Sequence, residues 1–300
     1  MADGDRRVTN ILTLDIEDWR QSSPEVFSAS GASLASSAPG GRVLQNTRKL
    51  LRILDEHNAQ ATFFVLGSVA EAFPGLVREI QDAGHEIASH GYHHLPIYFR
   101  NPEEFKADVA RSMELLENVI GKKVLGYRAP YFSITRGTRW ALPILAQLGI
   151  EYDASFFPLN RRYYRFPGWE GAEDADRFPF RLAFGDKHLL ELPVTTARVL
   201  GQNLPISGGV FLGFVPAGLF RWSIRKTNRL GHPAIFYLHP HDLDVEELRR
   251  PCTEAAVRKR LFQKGLNIGR RRNEEKLRRL LSEFSFTSIH EWLESNPIPA

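Results

Sequence analysis

Two hydrophobic periods alternate along most of this chain, and that alternation restricts its fold more than any other feature. "VTNILTLDI" reads as a strand, and "NTRKLLRILDEHN" as a helix capped by Asn46 or Thr47. "ATFFVLG" is a buried strand, "FPGLVREIQDAG" a helix ending at Gly84, and "HEIAS" another strand. The order returns in "NPEEFKADVARSMELLENVIG", "KVLGYR", "GTRWALPILAQLG" and "IEYDAS", and continues through "LLELPVT", "VPAGLFRWSIRKTNRLG", "PAIFYLH" and "FTSIHEWLES". At least six such units in 300 residues predict an α/β fold with a parallel sheet closed into a barrel rather than a small doubly wound sheet. The Ser/Ala/Gly-rich "SSPEVFSASGASLASSAPGG" and the aromatic "FFPLNRRYYRFPGWEGAEDADRFPF" interrupt the pattern and read as long loops.

Composition narrows the class. A hydrophobic share of 43% and a charged share of 25% are those of a globular protein with an ample core. The single cysteine, Cys252, excludes an intramolecular disulfide framework. No apolar run reaches membrane-spanning length and no signal-peptide core is visible, so a cytoplasmic location is the expectation, with peripheral membrane association left open. The net charge of +4 is concentrated late, in "VRKRLFQKGLNIGRRRNEEKLRRLL". That run lacks interleaved aromatics and carries Glu274 and Glu275, which argues against a nucleic-acid partner. Leu277, Leu280 and Leu281 instead mark an amphipathic helix with a solvated basic face.

Polar residues gather where the strands end. The first strand delivers Asp15, Glu17 and Asp18, three carboxylates that repel one another unless a cation or a shared proton intervenes. "HEIASHGYHH" holds four of the chain's ten histidines, and His90 and His94 have an i, i+4 spacing that suits zinc. Taken alone, such a pair is a weak signal. "GYRAPY" puts Arg128 at the same rim, and "AIFYLHPHD" runs apolar into His239. In α/β folds the carboxyl ends of the strands are where active sites are built, so four rim positions carrying Asp, His, Arg and His define a candidate site.

"LTLDIED", "ASHGYHH", "GYRAPY", "YDASFFP" and "FYLHPHD" occur in the order of the five motifs of the polysaccharide deacetylases, the metal-dependent NodB-homology family. The chain resembles that family over roughly residues 8 to 290, and most resembles its subgroup from exopolysaccharide loci of the PEP-CTERM/exosortase type. The subgroup likeness includes "LELPVTTARVLGQNLPISGG" and a C-terminal extension at about 250–300. The resemblance implies a distorted β/α barrel with a C-terminal helical extension, in which residues 1–300 form one catalytic domain. It implies removal of N-acetyl groups from a polysaccharide or oligosaccharide by metal-activated water.

Carried over by position, Asp15 is the general base, and Asp18, His90 and His94 are the metal ligands. Arg128 orients the base, the Tyr131 backbone N–H faces the oxyanion, Asp153 pairs with the orienting groups, and His239 is the general acid. The family's opening motif has two adjacent aspartates, whereas Ile16 and Glu17 separate Asp15 from Asp18, so Glu17 is a rival ligand. His93 is likewise a rival to His94. An imidazole and carboxylate donor set favours Zn2+, with cobalt, nickel and iron as alternatives. An aromatic loop, "RRYYRFPGW", suits sugar stacking. Two other classes stay open: a related amidohydrolase acting on a small cyclic amide or imide, and a non-catalytic glycan-binding module.

Overall fold

The computed structural model describes residues 8–18, 21, 39–160, 175–245 and 270–297. Cys252, the "RRYYRFPGW" loop, most of the Ser/Ala/Gly-rich loop and residues 246–269 of the basic tail lie outside them. The strands and helices alternate from β1 (Asn10–Ile16) through α1 (Arg42–Glu56), β2 (Thr62–Val65), α2 (Gly67–Ala72), α3 (Pro74–Asp82) and β3 (Glu86–Ser89). Next come α4 (Pro102–Ile120), β4 (Gly126–Tyr127), α5 (Ala141–Gln147) and β5 (Tyr152–Asp153). Two hairpins follow, β6 (Phe180–Phe184) with β7 (Lys187–Glu191), then β8 (Thr196–Val199) with β9 (Gln202–Pro205). The chain continues with α6 (Val210–Phe214), α7 (Ala217–Arg229), β10 (Ile235–Leu238), α8 (Asn273–Glu283), β11 (Phe286–Thr287) and α9 (Ile289–Ser295).

The main sheet runs β10-β1-β2-β3-β4-β5-β7-β6, with β11 also on β1. Its neighbours are parallel except β6 against β7, so the expectation of a parallel sheet holds everywhere but at that hairpin. Irregular chain crosses the remaining gap between β7 and β10. Val194 N–H donates to Phe156 O and Thr195 N–H to Ile235 O, while Tyr237 N–H donates to Ser207 O. Gly208 lies so close to β10 that a Cβ would meet Tyr237 O at 1.9 Å. A curled sheet with an irregular closing seam is the distorted barrel that the motifs implied.

The period of two along β1 sorts its side chains between two cores. Ile11 packs inside the barrel with Phe64, Ala88, Tyr152 and Ile235. Leu12, Leu14 and Ile16 face the helical shell with Leu50, Ile53 and Val69. Odd-numbered positions of β1 therefore point inward. The C-terminal helix α8 buries Leu277, Leu280 and Leu281, as its spacing predicted. One boundary differs from expectation: α1 begins at Arg42 after Gly41, and Asn46 and Thr47 lie within it, buried. Neither caps the helix. The Asn46 amide instead donates to Asp244 Oδ2 at 2.9 Å, and Arg42 pairs with the same carboxylate, tying α1 to the loop after β10.

Candidate active site

Four parallel strands end in polar residues at one rim. From β1, Asp15 is buried and its Oδ1 accepts from Arg128 Nη1 at 2.7 Å. Arg128, just past β4, is fully buried and also donates to Thr13 Oγ1 and Ala154 O. Its guanidinium lies over the Phe64 ring at 4.3 Å, so its position is fixed on all sides.

Beyond β3 the chain must turn sharply to return two histidines to the rim. Gly91 takes φ +73° and His94 φ +55°, a conformation uncommon for a residue with a Cβ. Asp108, from α4, holds this turn by accepting from the Tyr92 and His93 backbone N–H groups and from Arg100. His93 Nδ1 also meets Asp108, at 2.8 Å, so His93 belongs to the brace and His94 to the site.

His90 Nδ1 lies 2.8 Å from Arg128 O, and His94 Nδ1 lies 2.8 Å from Gln21 O. A carbonyl can only accept, so both Nδ1 atoms carry a proton, and each Nε2 has a lone pair to offer an ion whenever the ring is neutral. Those lone pairs converge on Glu17: Oε2 contacts His94 Nε2 and lies 3.7 Å from His90 Nε2. A carboxylate oxygen facing two imidazole lone pairs is repulsive unless a cation or proton lies among them. The donor set therefore fits a divalent ion. Among the described residues, the ligand atoms of Glu17, His90 and His94 all lie within 4.8 Å of one another.

Of the two acids, Glu17 is the one that lies beside the histidines, whereas Asp18, the ligand expected from the sequence, is turned away from them. The reason is the strand alternation, which sends Asp15 and Glu17 inward and Asp18 the other way. Asp18 Oδ2 accepts from Gly40 N–H at 3.2 Å, and its own N–H donates to Gln21 Oε1. Asp18 thus helps to order the turn whose Gln21 carbonyl orients His94 and accepts from the Tyr131 hydroxyl at 2.6 Å.

A second group, Glu17 with His239 and His241, uses the same acid. His239 is committed elsewhere: its Nδ1 lies 3.0 Å from Asp242 Oδ2 and its N–H donates to the same oxygen. Burial lowers the His239 pKa, but the adjacent Asp242 outweighs this, with help from Glu17 and Asp15, and lifts it to about 9. Burial would raise the pKa of Asp242, but His239 outweighs this and holds it down to about 2. Glu17 behaves alike: burial would raise it, yet His94, His90 and His239 hold it well below the usual carboxylate range. His241, stacked on His239 with centroids 4.7 Å apart, is driven down to about 3 by burial and by that neighbour. The rim thus holds one histidine charged and the next neutral.

Tyr131 sits at φ +56° in the turn Pro130–Phe132, its ring 4.5 Å from that of His94. Asp153, at the end of β5, is fully buried and accepts from the Ser155 hydroxyl. Sequence reasoning missed Asp242, Asp108, Gln21 and Glu191. Only Asp242 carried a local signal, three residues after His239 and behind Pro240, where a carboxylate can return to cap the histidine.

A curled α/β barrel with a buried carboxylate–histidine cluster at its carboxyl rim is the class of molecule that fold and site define. Comparison with known proteins makes the class specific. Residues 39–152 match the family model described as polysaccharide deacetylase, and residues 154–294 match a domain of unknown function, DUF3473. A peptidoglycan-N-acetylglucosamine deacetylase of Bacillus cereus is 35% identical over 111 residues, covering 37% of this chain and 40% of that protein. A chitooligosaccharide deacetylase of Azorhizobium caulinodans is 36% identical over 86 residues, covering 28% of this chain and 41% of its own length. The chain thus spans about two-fifths of the length of these curated relatives.

A crystal structure from Mycobacterium smegmatis assigned to the polysaccharide deacetylases superposes with TM-score 0.60 at 22% identity, over 98% of this chain and 92% of that one. The PuuE allantoinase structure gives 0.57 at 16% identity, over 99% and 94%. Both likenesses concern the fold alone. Residues 39–152 thus match the polysaccharide deacetylase family model, and the chain is similar in sequence to glycan deacetylases over that part.

Proposed function

We propose that this chain hydrolyses N-acetyl groups on a glycan, with a divalent ion held by Glu17, His90 and His94, and that residues 1–300 act as one catalytic domain. The observation that carries the reading is the pair of oppositely partnered groups, Asp15 and His239, that flank those three ligands. Asp15 lies against a fixed guanidinium, and His239 lies against Asp242. A carboxylate facing a guanidinium and an imidazole facing a carboxylate thus stand on the two sides of one site.

The bound ion would supply a Lewis acid that acidifies water and polarises the acetyl carbonyl. Asp15, held in place by Arg128, accepts the proton of the attacking water. The Tyr131 backbone N–H, set by its left-handed turn, donates to the developing oxyanion. His239, kept protonated by Asp242, delivers a proton to the departing amine. Its Nε2 is 3.9 Å from Asp15 Oδ2 and 3.5 Å from Glu17 Oε1, so acid and base flank the ligand cluster. Relatives named for peptidoglycan and chitooligosaccharide substrates favour an N-acetylated sugar, and the PEP-CTERM-type motifs favour an exopolysaccharide or envelope glycan. Zinc is the proposed ion because the donors mix imidazole with carboxylate.

Elemental analysis, combined with acetate release from N-acetylglucosamine oligomers, tests this reading. One bound divalent ion and acetate release support it. Metal binding with turnover only of a cyclic amide would replace the glycan reading, and binding of oligomers without turnover would replace the enzyme.

A further inference from the structure

Behind Arg128, inside the barrel, two further carboxyl groups face each other. Asp153 of β5 and Glu191 of β7 are paired directly across the sheet, and both are fully buried. Like charges placed opposite one another on adjacent strands repel, and burial removes the water that would screen them. Each carboxyl has one oxygen committed: Asp153 Oδ1 accepts from the Ser155 hydroxyl, and Glu191 Oε1 accepts from Phe156 N–H at 3.0 Å. The other two oxygens, Asp153 Oδ2 and Glu191 Oε2, receive no N–H or O–H from elsewhere among the described residues. One proton shared between these two opposed, buried carboxyl groups would satisfy both orphaned oxygens at once.

We propose that Glu191 is a positioning residue that shares one proton with Asp153, so that the buried pair carries a single negative charge behind Arg128. This rests on the reading of Asp15 as base. With one charge behind it, the guanidinium is balanced between that charge and Asp15. With two, the added negative charge would compete with Asp15 for the guanidinium and draw it away from the base. Glu191 thus acts through Arg128 and touches no reacting atom.

Arg128 and, on β4, Tyr127 are the ionisable groups that face the pair, and from β6 the residue opposite Glu191 is Phe180. Burial raises both acids, Asp153 to about 6 and Glu191 well above the carboxylate range, as a shared proton requires. The folded state then holds a proton that the unfolded chain releases. Stability from this proton is complete below the ordinary carboxylate pKa and is lost as pH rises through the raised value.

The test compares wild type with Glu191→Gln and Glu191→Ala in the metal-loaded protein. A glutamine amide donates to Asp153 as the shared proton does, but cannot titrate. Thermal unfolding across pH should show a Tm decline from the carboxylate range upward in wild type, flattened in Glu191→Gln. On an N-acetylglucosamine oligomer, Glu191→Gln should keep neutral-pH kcat/KM within a few-fold and move its alkaline decline to higher pH. Glu191→Ala should lose kcat with little change in KM. Parallel Tm–pH curves for wild type and Glu191→Gln would overturn the shared proton. A flattened Tm curve with an unmoved kcat/KM profile would overturn the positioning role. Because the unfolding arm needs no turnover, absence of acetate release would count against the deacetylase reading and leave the proton pair to be judged by Tm.

Discussion

Both ends of the barrel hold carboxylates, partly buried at one and buried at the other, and give them opposite partners. At the amino end, Glu86 accepts from the Thr62 and Tyr152 hydroxyls, each at 2.6 Å, and from His290 N–H at the start of α9. These donors are neutral, and burial raises the Glu86 pKa. At the carboxyl end, Asp15 meets a guanidinium, Glu17 meets imidazoles, and Asp242 meets a charged histidine. Glu17 and Asp242 are driven down. The amino end can tolerate a neutral side chain because its hydrogen bonds close the barrel. The carboxyl end sets charge against charge, as the proposed ion binding and proton transfer require.

The largest effect should follow removal of a proposed ligand. Glu17→Gln or His94→Ala should empty the metal site and abolish acetate release together, whereas Asp18→Asn should keep the ion. Elemental analysis of the three variants checks this, and an empty site only in Asp18→Asn would restore Asp18 as ligand.

Next in size is Asp15→Asn. Loss of a general base typically costs ~100- to 10,000-fold in turnover, and the ion should stay bound. Unchanged kcat in a fully metallated Asp15→Asn protein would remove Asp15 from the chemistry.

His239→Ala should also keep its metal while losing activity selectively. An aryl acetate leaves without protonation, so its cleavage should be spared far more than that of an N-acetyl sugar. Equal losses on both substrates would speak against an acid role, and the same split in His241→Ala would move the role there.

The smallest effect should come from the amino end. Glu86→Gln gives up an acceptor to Thr62 or His290 and should cost about 1 kcal/mol of stability with kcat unchanged. Because the Glu86 pKa is raised, the wild type itself loses stability as pH climbs through that value. The gap between variant and wild type in chemical denaturation should therefore narrow with rising pH. A large fall in kcat would mean that the two ends are not separable.

Much of this was legible in the chain itself. Alternating periods fixed the α/β class, since only a helix-covered parallel sheet buries so many strand–helix units. Apolar runs ending in Asp15, His90, Arg128 and His239 marked the rim, and the i, i+4 spacing separated His94 from its neighbour. Even the inward placement of Glu17 rather than Asp18 was available in the alternation of β1, because residues 15 and 17 share a face and residue 18 does not. What tertiary structure alone decided were the partners that arrive from distant segments. Gln21 and Arg128 carbonyls set the histidine tautomers, and Asp108 braces the turn from another helix. Glu191 meets Asp153 from 38 residues away across a parallel pairing. Local sequence sets which face a side chain takes, but strand register and helix packing choose what it meets there, and in a buried site that partner sets its charge.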